Sequence, residues 1–204
     1  MMKKLFISLW LAILLTATIV LPSVHAEERN LENLPICTID GFMTPGPETF
    51  KELEDGSSCI VKAVRSEDSE NYLPTDDTTG FTLSTLTITD SFKGDLKAGD
   101  TVPFIETYYI DTLSSGERRL HCYFGHRPIL PGHEYILFIG PSNVFYDENK
   151  PWSGTYSTSY FGLSQYAVPS GEEGSADASI PSRFVPNSEL YREFYPAVLK
   201  KYNT

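Results

Sequence analysis

Pro131-Gly132-His133-Glu134-Tyr135-Ile136-Leu137-Phe138-Ile139 passes from a turn signal into five consecutive apolar residues. A strand with one face in water alternates apolar and polar side chains, whereas a strand covered on both sides is apolar at every position. Residues 135–139 therefore read as a central sheet strand or a barrel strand.

Moving upstream, residues 118–124 form a strand with Leu120, Cys122 and Phe124 on one side, preceded by a turn over 111–117. Residues 101–110 read as one strand, entered through the turn signals Lys93-Gly94-Asp95 and Ala98-Gly99-Asp100. The Thr-, Leu- and Ile-rich run 81–92 is a long strand. Its apolar parity changes between Leu83 and Leu86, which predicts a bulge near Ser84-Thr85. Residues 59–65 are a first strand, and the polar residues 66–79 a loop. Between 27 and 58, Pro35, Pro45 and Pro47 leave room for one short helix, with Pro47 at its first position, Phe50 and Leu53 on one face and Gly56 as the stop.

Downstream, one or two more strands are expected between 154 and 168, then a mobile Ser-, Gly-, Glu- and Ala-rich connector over 169–183. Leu190, Phe194 and Val198 recur every four residues beside Tyr191, Tyr195 and Leu199. This predicts an amphipathic helix in 184–204 that packs on the sheet and is interrupted at Pro196. Short strands, Gly/Pro turns, one continuous apolar strand and a terminal helix predict a mostly β protein. The expected form is a small OB-type closed barrel over 27–168 with a C-terminal α-helix; a β-sandwich is the alternative.

Residues 1–26 have a basic start at Lys3-Lys4, an apolar stretch to Leu21 and small residues at Val24 and Ala26. That layout is a secretory signal peptide cleaved after Ala26, placing the mature chain outside the cytoplasm with no membrane anchor. Cleavage removes two lysines and no acid, moving the net charge from -11 to -13 over the remaining 178 residues. An acidic chain repels phosphate backbones, so nucleic acid is excluded as the expected partner. Three cysteines in an exported chain permit one intramolecular bridge and leave one over, with three pairings open; Cys59, beside Val61 and Ala63, reads as a buried free thiol.

Thr87-Ile88-Thr89-Asp90-Ser91-Phe92-Lys93-Gly94-Asp95 with Ala98-Gly99-Asp100-Thr101-Val102 resembles a strand-turn-strand segment of secreted bacterial proteins of the tissue-inhibitor-of-metalloproteinase-like (TIMP-like) OB-fold group. Cys122-Tyr123-Phe124-Gly125-His126-Arg127, followed by Gly132-His133-Glu134-Tyr135-Ile136-Leu137, resembles the group's cysteine-bearing turn and next strand. Phe50-Lys51-Glu52-Leu53 with Cys59-Ile60-Val61 and Ala63 is similar to its lead-in helix and first strand. The resemblance implies an OB barrel whose N-terminal segment is stapled by a Cys37–Cys122 disulfide. In animal inhibitors of this type an N-terminal Cys-x-Cys binds the protease zinc through a free amine. Here Ile39 stands at the second Cys, and ten residues precede Cys37 after the expected cut, so chelation would need a second cleavage that exposes Cys37.

His121, His126 and His133 with Glu134 match no helical metal motif, and Asp76-Asp77 lack EF-hand spacing; no metal and no cofactor are expected. The sequence carries no Gly-x-Ser-x-Gly elbow, phosphate-binding Gly loop or dinucleotide fingerprint. The expectation is a non-enzymatic extracellular binding module, a protease-inhibitor relative that recognises a protein or peptide. Its expected face is Cys37, Thr38, Ile39 and Asp40 together with Tyr123, Phe124, His126 and Arg127. A metal-dependent hydrolase using His121, His126 and Glu134, or a structural protein of the cell envelope, are the alternatives. The oligomeric state is left open.

Overall fold

A computed structural model of the chain describes residues 31, 33–40, 46–76, 78–142, 152–169 and 181–203. The chain divides into two compact units, residues 1–31 and residues 32–204, and every element below belongs to the second. The expected signal peptide and residues 170–180 of the expected connector lie outside the described residues.

In chain order the elements are β1 (Ile36–Ile39), α1 (Phe50–Gly56), β2 (Cys59–Tyr72), β3 (Phe81–Lys93), β4 (Thr101–Glu106), β5 (Tyr108–Thr112), β6 (Arg118–Tyr123), β7 (Glu134–Pro141), β8 (Tyr156–Thr158), β9 (Gln165–Ala167) and α2 (Glu189–Tyr202). β2 pairs antiparallel with β3 and β3 with β4; β4 pairs parallel with β8, β8 antiparallel with β7, and β7 antiparallel with β2. The five strands close into the expected OB-type barrel, and closure removes the sandwich alternative. A second, three-stranded sheet in the order β1-β6-β5 joins the N-terminal strand to the two strands that lie between β4 and β7 in the chain.

β7 shows why its sequence is apolar throughout. Ile136 and Phe138 join Leu53, Ile60, Tyr166, Tyr191, Phe194, Val198 and Tyr202 in a core under α2. The alternate residues Leu137 and Ile139, fully buried, turn to the barrel interior.

Several boundaries differ from the sequence reading. α1 begins at Phe50, not at Pro47, because Thr49 and Glu52 form a reciprocal capping box, a device worth about 1 kcal/mol. β2 continues through the polar residues to Tyr72: Ser69–Tyr72 pair with Phe81–Ser84, and the Tyr72 ring stacks on Phe81 at 4.6 Å. Of three register irregularities between β2 and β3, one falls opposite Thr85 near the expected place, yet its extra residues lie on β2, between Arg65 and Ser69; the other two skip Thr89 and Phe92 on β3. β3 keeps an unbroken register with β4 from Thr82 to Thr87. Its parity changes because Thr82 and Ser84, both buried, take the inward positions that Leu86 and Ile88 take further on. The barrel interior is polar at that end.

The strand expected over 101–110 divides at Thr107 into β4, in the barrel, and β5, in the second sheet. Between 154 and 168 there are two strands, as expected. α2 runs through Pro196 without interruption. The proline is exposed, while Tyr191, Phe194, Val198 and Tyr202 on both sides of it are buried, so core packing offsets the missing backbone bond. Among the described residues no helix is long and apolar enough to cross a membrane.

Candidate binding face

β6 organises the candidate site because it pairs on both sides. Against β5, Tyr109 faces His121 and Tyr108 faces Cys122; against β1, Cys37 faces His121, Thr38 faces Cys122 and Ile39 faces Tyr123. Side chains alternate across a strand, so Cys37, Ile39, Tyr109, His121 and Tyr123 share one face of this sheet. The Tyr109 and His121 rings stack at 4.7 Å with planes 6° apart, and Tyr123 lies 6.1 Å from Tyr109. After Tyr123 the chain turns through Phe124 (φ 50°) and Gly125 (φ 74°). Phe124 then packs against Phe161 at 5.1 Å.

The loop between β2 and β3 seals one end of this aromatic row. Gly80 lies against the Tyr109 ring, which in turn neighbours the ring of Tyr123. Burial, foremost, pushes both phenols above their ordinary range, so both are neutral hydrogen-bonding groups at physiological pH.

The expected face is thus assembled in large part. Thr38 and Asp40 are exposed, and Cys37, Ile39, Tyr123, Phe124 and Arg127 are half-buried. Phe124 N–H donates to Ile39 O at 3.0 Å, tying the two segments at the turn. What joins them is strand pairing. The expected Cys37–Cys122 disulfide is absent, with all three cysteines free and Cys59 buried as expected. The parallel register places Cys37 opposite His121, one residue short of Cys122, so the two thiols point to opposite faces of the ladder. Burial, above all, pushes the Cys122 thiol up to about 12, which leaves it a poor nucleophile.

His126 leaves the expected face entirely. It is 0% exposed inside the barrel, with Nε2 3.8 Å from Glu106 Oε2 and its ring parallel to Tyr108. Glu106, equally buried, forms an ion pair with Arg65, Nε to Oε1 2.8 Å, and accepts from Ile129 N–H at 2.8 Å. The hydrolase set is dispersed: His121 stacks on the outer sheet, His126 is enclosed, and Glu134 bonds Thr89 Oγ1 at 2.6 Å. Among the described residues no group of three or more His, Cys, Asp or Glu side chains is placed to hold a metal ion.

No family model, curated protein or solved structure matches the chain.

Tyr109, Gly80 and Phe161 belong to the face but escaped the sequence reading. The hairpin register of β5 on β6 was the available signal for Tyr109. Gly80 and Phe161 come from distant loops that only the closed barrel brings near. The resulting surface has aromatic faces, neutral hydroxyls and the outer backbone edge of β1. Groups of these kinds are suited to contact and hydrogen bonding with a ligand.

Proposed function

We propose that this chain is an exported, non-catalytic binding module that recognises a protein or peptide outside the cytoplasm, through the surface that joins residues 37–40 to Tyr123 and Phe124. The cleavable leader read in residues 1–26 and the resemblance to TIMP-like proteins support export and a relation to protease inhibitors. The observation that carries the binding reading is Phe124. It is the one non-glycine among the described residues with positive φ, a conformation that costs a bulky residue about 1–2 kcal/mol. Strain of this kind is retained where the side chain serves a purpose, and here it presents a half-buried aromatic ring beside the β1 edge. Aromatic residues are the commonest anchors of protein interfaces.

The test is affinity capture from the native extracellular fraction with the wild type and three variants. Phe124→Asn keeps a residue that tolerates positive φ and removes the ring; Thr38→Asp adds charge to β1; Arg192→Glu alters the exposed side of α2 as a control. A partner recovered by the wild type and the control and lost with the first two variants supports the reading. Equal recovery by all four refutes it.

A further inference from the structure

The two outer strands of the second sheet are treated differently. On β5 the outward backbone is already occupied: Asn71 Oδ1 accepts from Ile110 N–H at 2.7 Å, Asn71 Nδ2 donates to Ile110 O at 2.9 Å, and Thr82 Oγ1 donates to Tyr108 O at 3.0 Å. An asparagine bonding both backbone groups of one residue does what a neighbouring strand would do, and it prevents another chain from pairing there. β1 forms the opposite edge, and no strand among the described residues pairs with its outer side. Pro35 O and Ile39 O accept from Leu120 N–H and Phe124 N–H, so the peptide groups of residues 37 and 39 serve β6. By alternation those of Ile36 and Thr38 point outward, and Thr38 is exposed.

We infer that the outer edge of β1 takes an extended, basic polypeptide segment as an added strand. Only another extended chain matches alternating N–H and C=O groups at strand spacing; a sugar or a flat ring does not. A strand added there turns every second side chain to the face that carries Cys37 and Ile39 and, one strand further in, Tyr123. Basic residues suit that position. The chain carries a net charge of -11, Asp40 is exposed at the end of β1, and Arg119 on the same face is neutralised by Glu117 at 3.0 Å. Aromatic faces attract ammonium and guanidinium groups as well. The inference rests on the binding reading above and names the mode and the chemical class of its partner.

The experiment uses a fluorescein-labelled peptide, Lys-Val-Lys-Phe-Lys-Val, titrated by anisotropy at low ionic strength. It is compared with the same peptide N-methylated at alternate residues and with a Glu-for-Lys counterpart. The expected result is that N-methylation and the Thr38→Pro variant each weaken binding by about tenfold or more, and that the acidic peptide does not bind. Proline is suited to position 38 because the N–H it removes faces away from β6. Methylated peptide binding within about twofold of its parent overturns strand addition. If Phe124→Asn still abolishes binding in that case, the face reading stands without the edge; if neither change matters, both fall. Equal binding of the acidic peptide, or no binding of any peptide, overturns the inference.

Discussion

Arg65 Nε lies 2.8 Å from Glu106 Oε1 inside the barrel, with the two side chains 2% and 0% exposed. Two charges so deeply buried are retained only while each satisfies the other, and Glu106 is bonded further by Ile129 N–H. Arg65→Met leaves the carboxylate without its cation and is expected to lower stability by about 3–5 kcal/mol in urea unfolding. Adding Glu106→Gln, which keeps an acceptor for Ile129, restores at least about 1 kcal/mol of that loss. A single-variant loss under about 1 kcal/mol would show that the pair does not hold the polar end of the barrel together.

A Cβ built on Gly80 stands 2.4 Å from Tyr109 Cδ1 and 2.9 Å from Pro74 Cδ. Gly80→Ala must therefore push the loop off the aromatic row, at a cost of about 1–3 kcal/mol. Measured unfolding at wild-type stability would mean that the loop does not rest on Tyr109.

The alkaline limb of the stability curve should carry the signature of Cys122. Its thiol is raised from 9.0 to about 12, chiefly by burial, so the folded chain keeps a proton that the unfolded chain releases. The associated stability is complete below pH 9 and is lost as pH rises from 9 towards 12. The expected slope is up to about 1.4 kcal/mol per pH unit, and Cys122→Ala removes it. The variant is best compared with the wild type between pH 9 and 10, below the ordinary range of the tyrosines. Identical slopes in the two proteins would place Cys122 in contact with water.

Thiol accessibility follows the strand register. Iodoacetamide should modify Cys37 in the native protein and reach Cys59 and Cys122 only after unfolding, with no change in intact mass on reduction. A mass deficit of two hydrogens mapped to Cys37 and Cys122 would mean that β1 sits one residue away from the register described.

The barrel was legible wherever burial fixed the residue pattern. The apolar run at 135–139, the strands at 59–65 and 81–92 and the spacing of Leu190, Phe194 and Val198 all report a core that each element meets directly. The readings that failed depend on distant partners. Residues 66–72 look like a loop until Phe81 and Ile110 are beside them, and Pro196 looks like a helix stop until its flanking rings are packed. His126 looks like a turn residue at the surface until Glu106 and Arg65 are enclosed with it. The candidate face was expected from two segments, 37–40 and 123–127, joined by the Cys37–Cys122 staple that the resemblance implies, and the structure sets them side by side without it. The strand pairing behind that proximity was not legible: a parallel ladder between residues 84 positions apart, such as Ile36 and Leu120, leaves no local trace in either strand.

The central claim is that this joined surface meets a partner, and photocrosslinking tests it most directly. p-Benzoylphenylalanine is placed at position 124 in one protein and at the exposed position 192 of α2 in another, and each is irradiated in the native extracellular fraction. A discrete covalent adduct from position 124, absent from position 192, is the predicted result. No adduct at 124, or the same adducts from both positions, would contradict it.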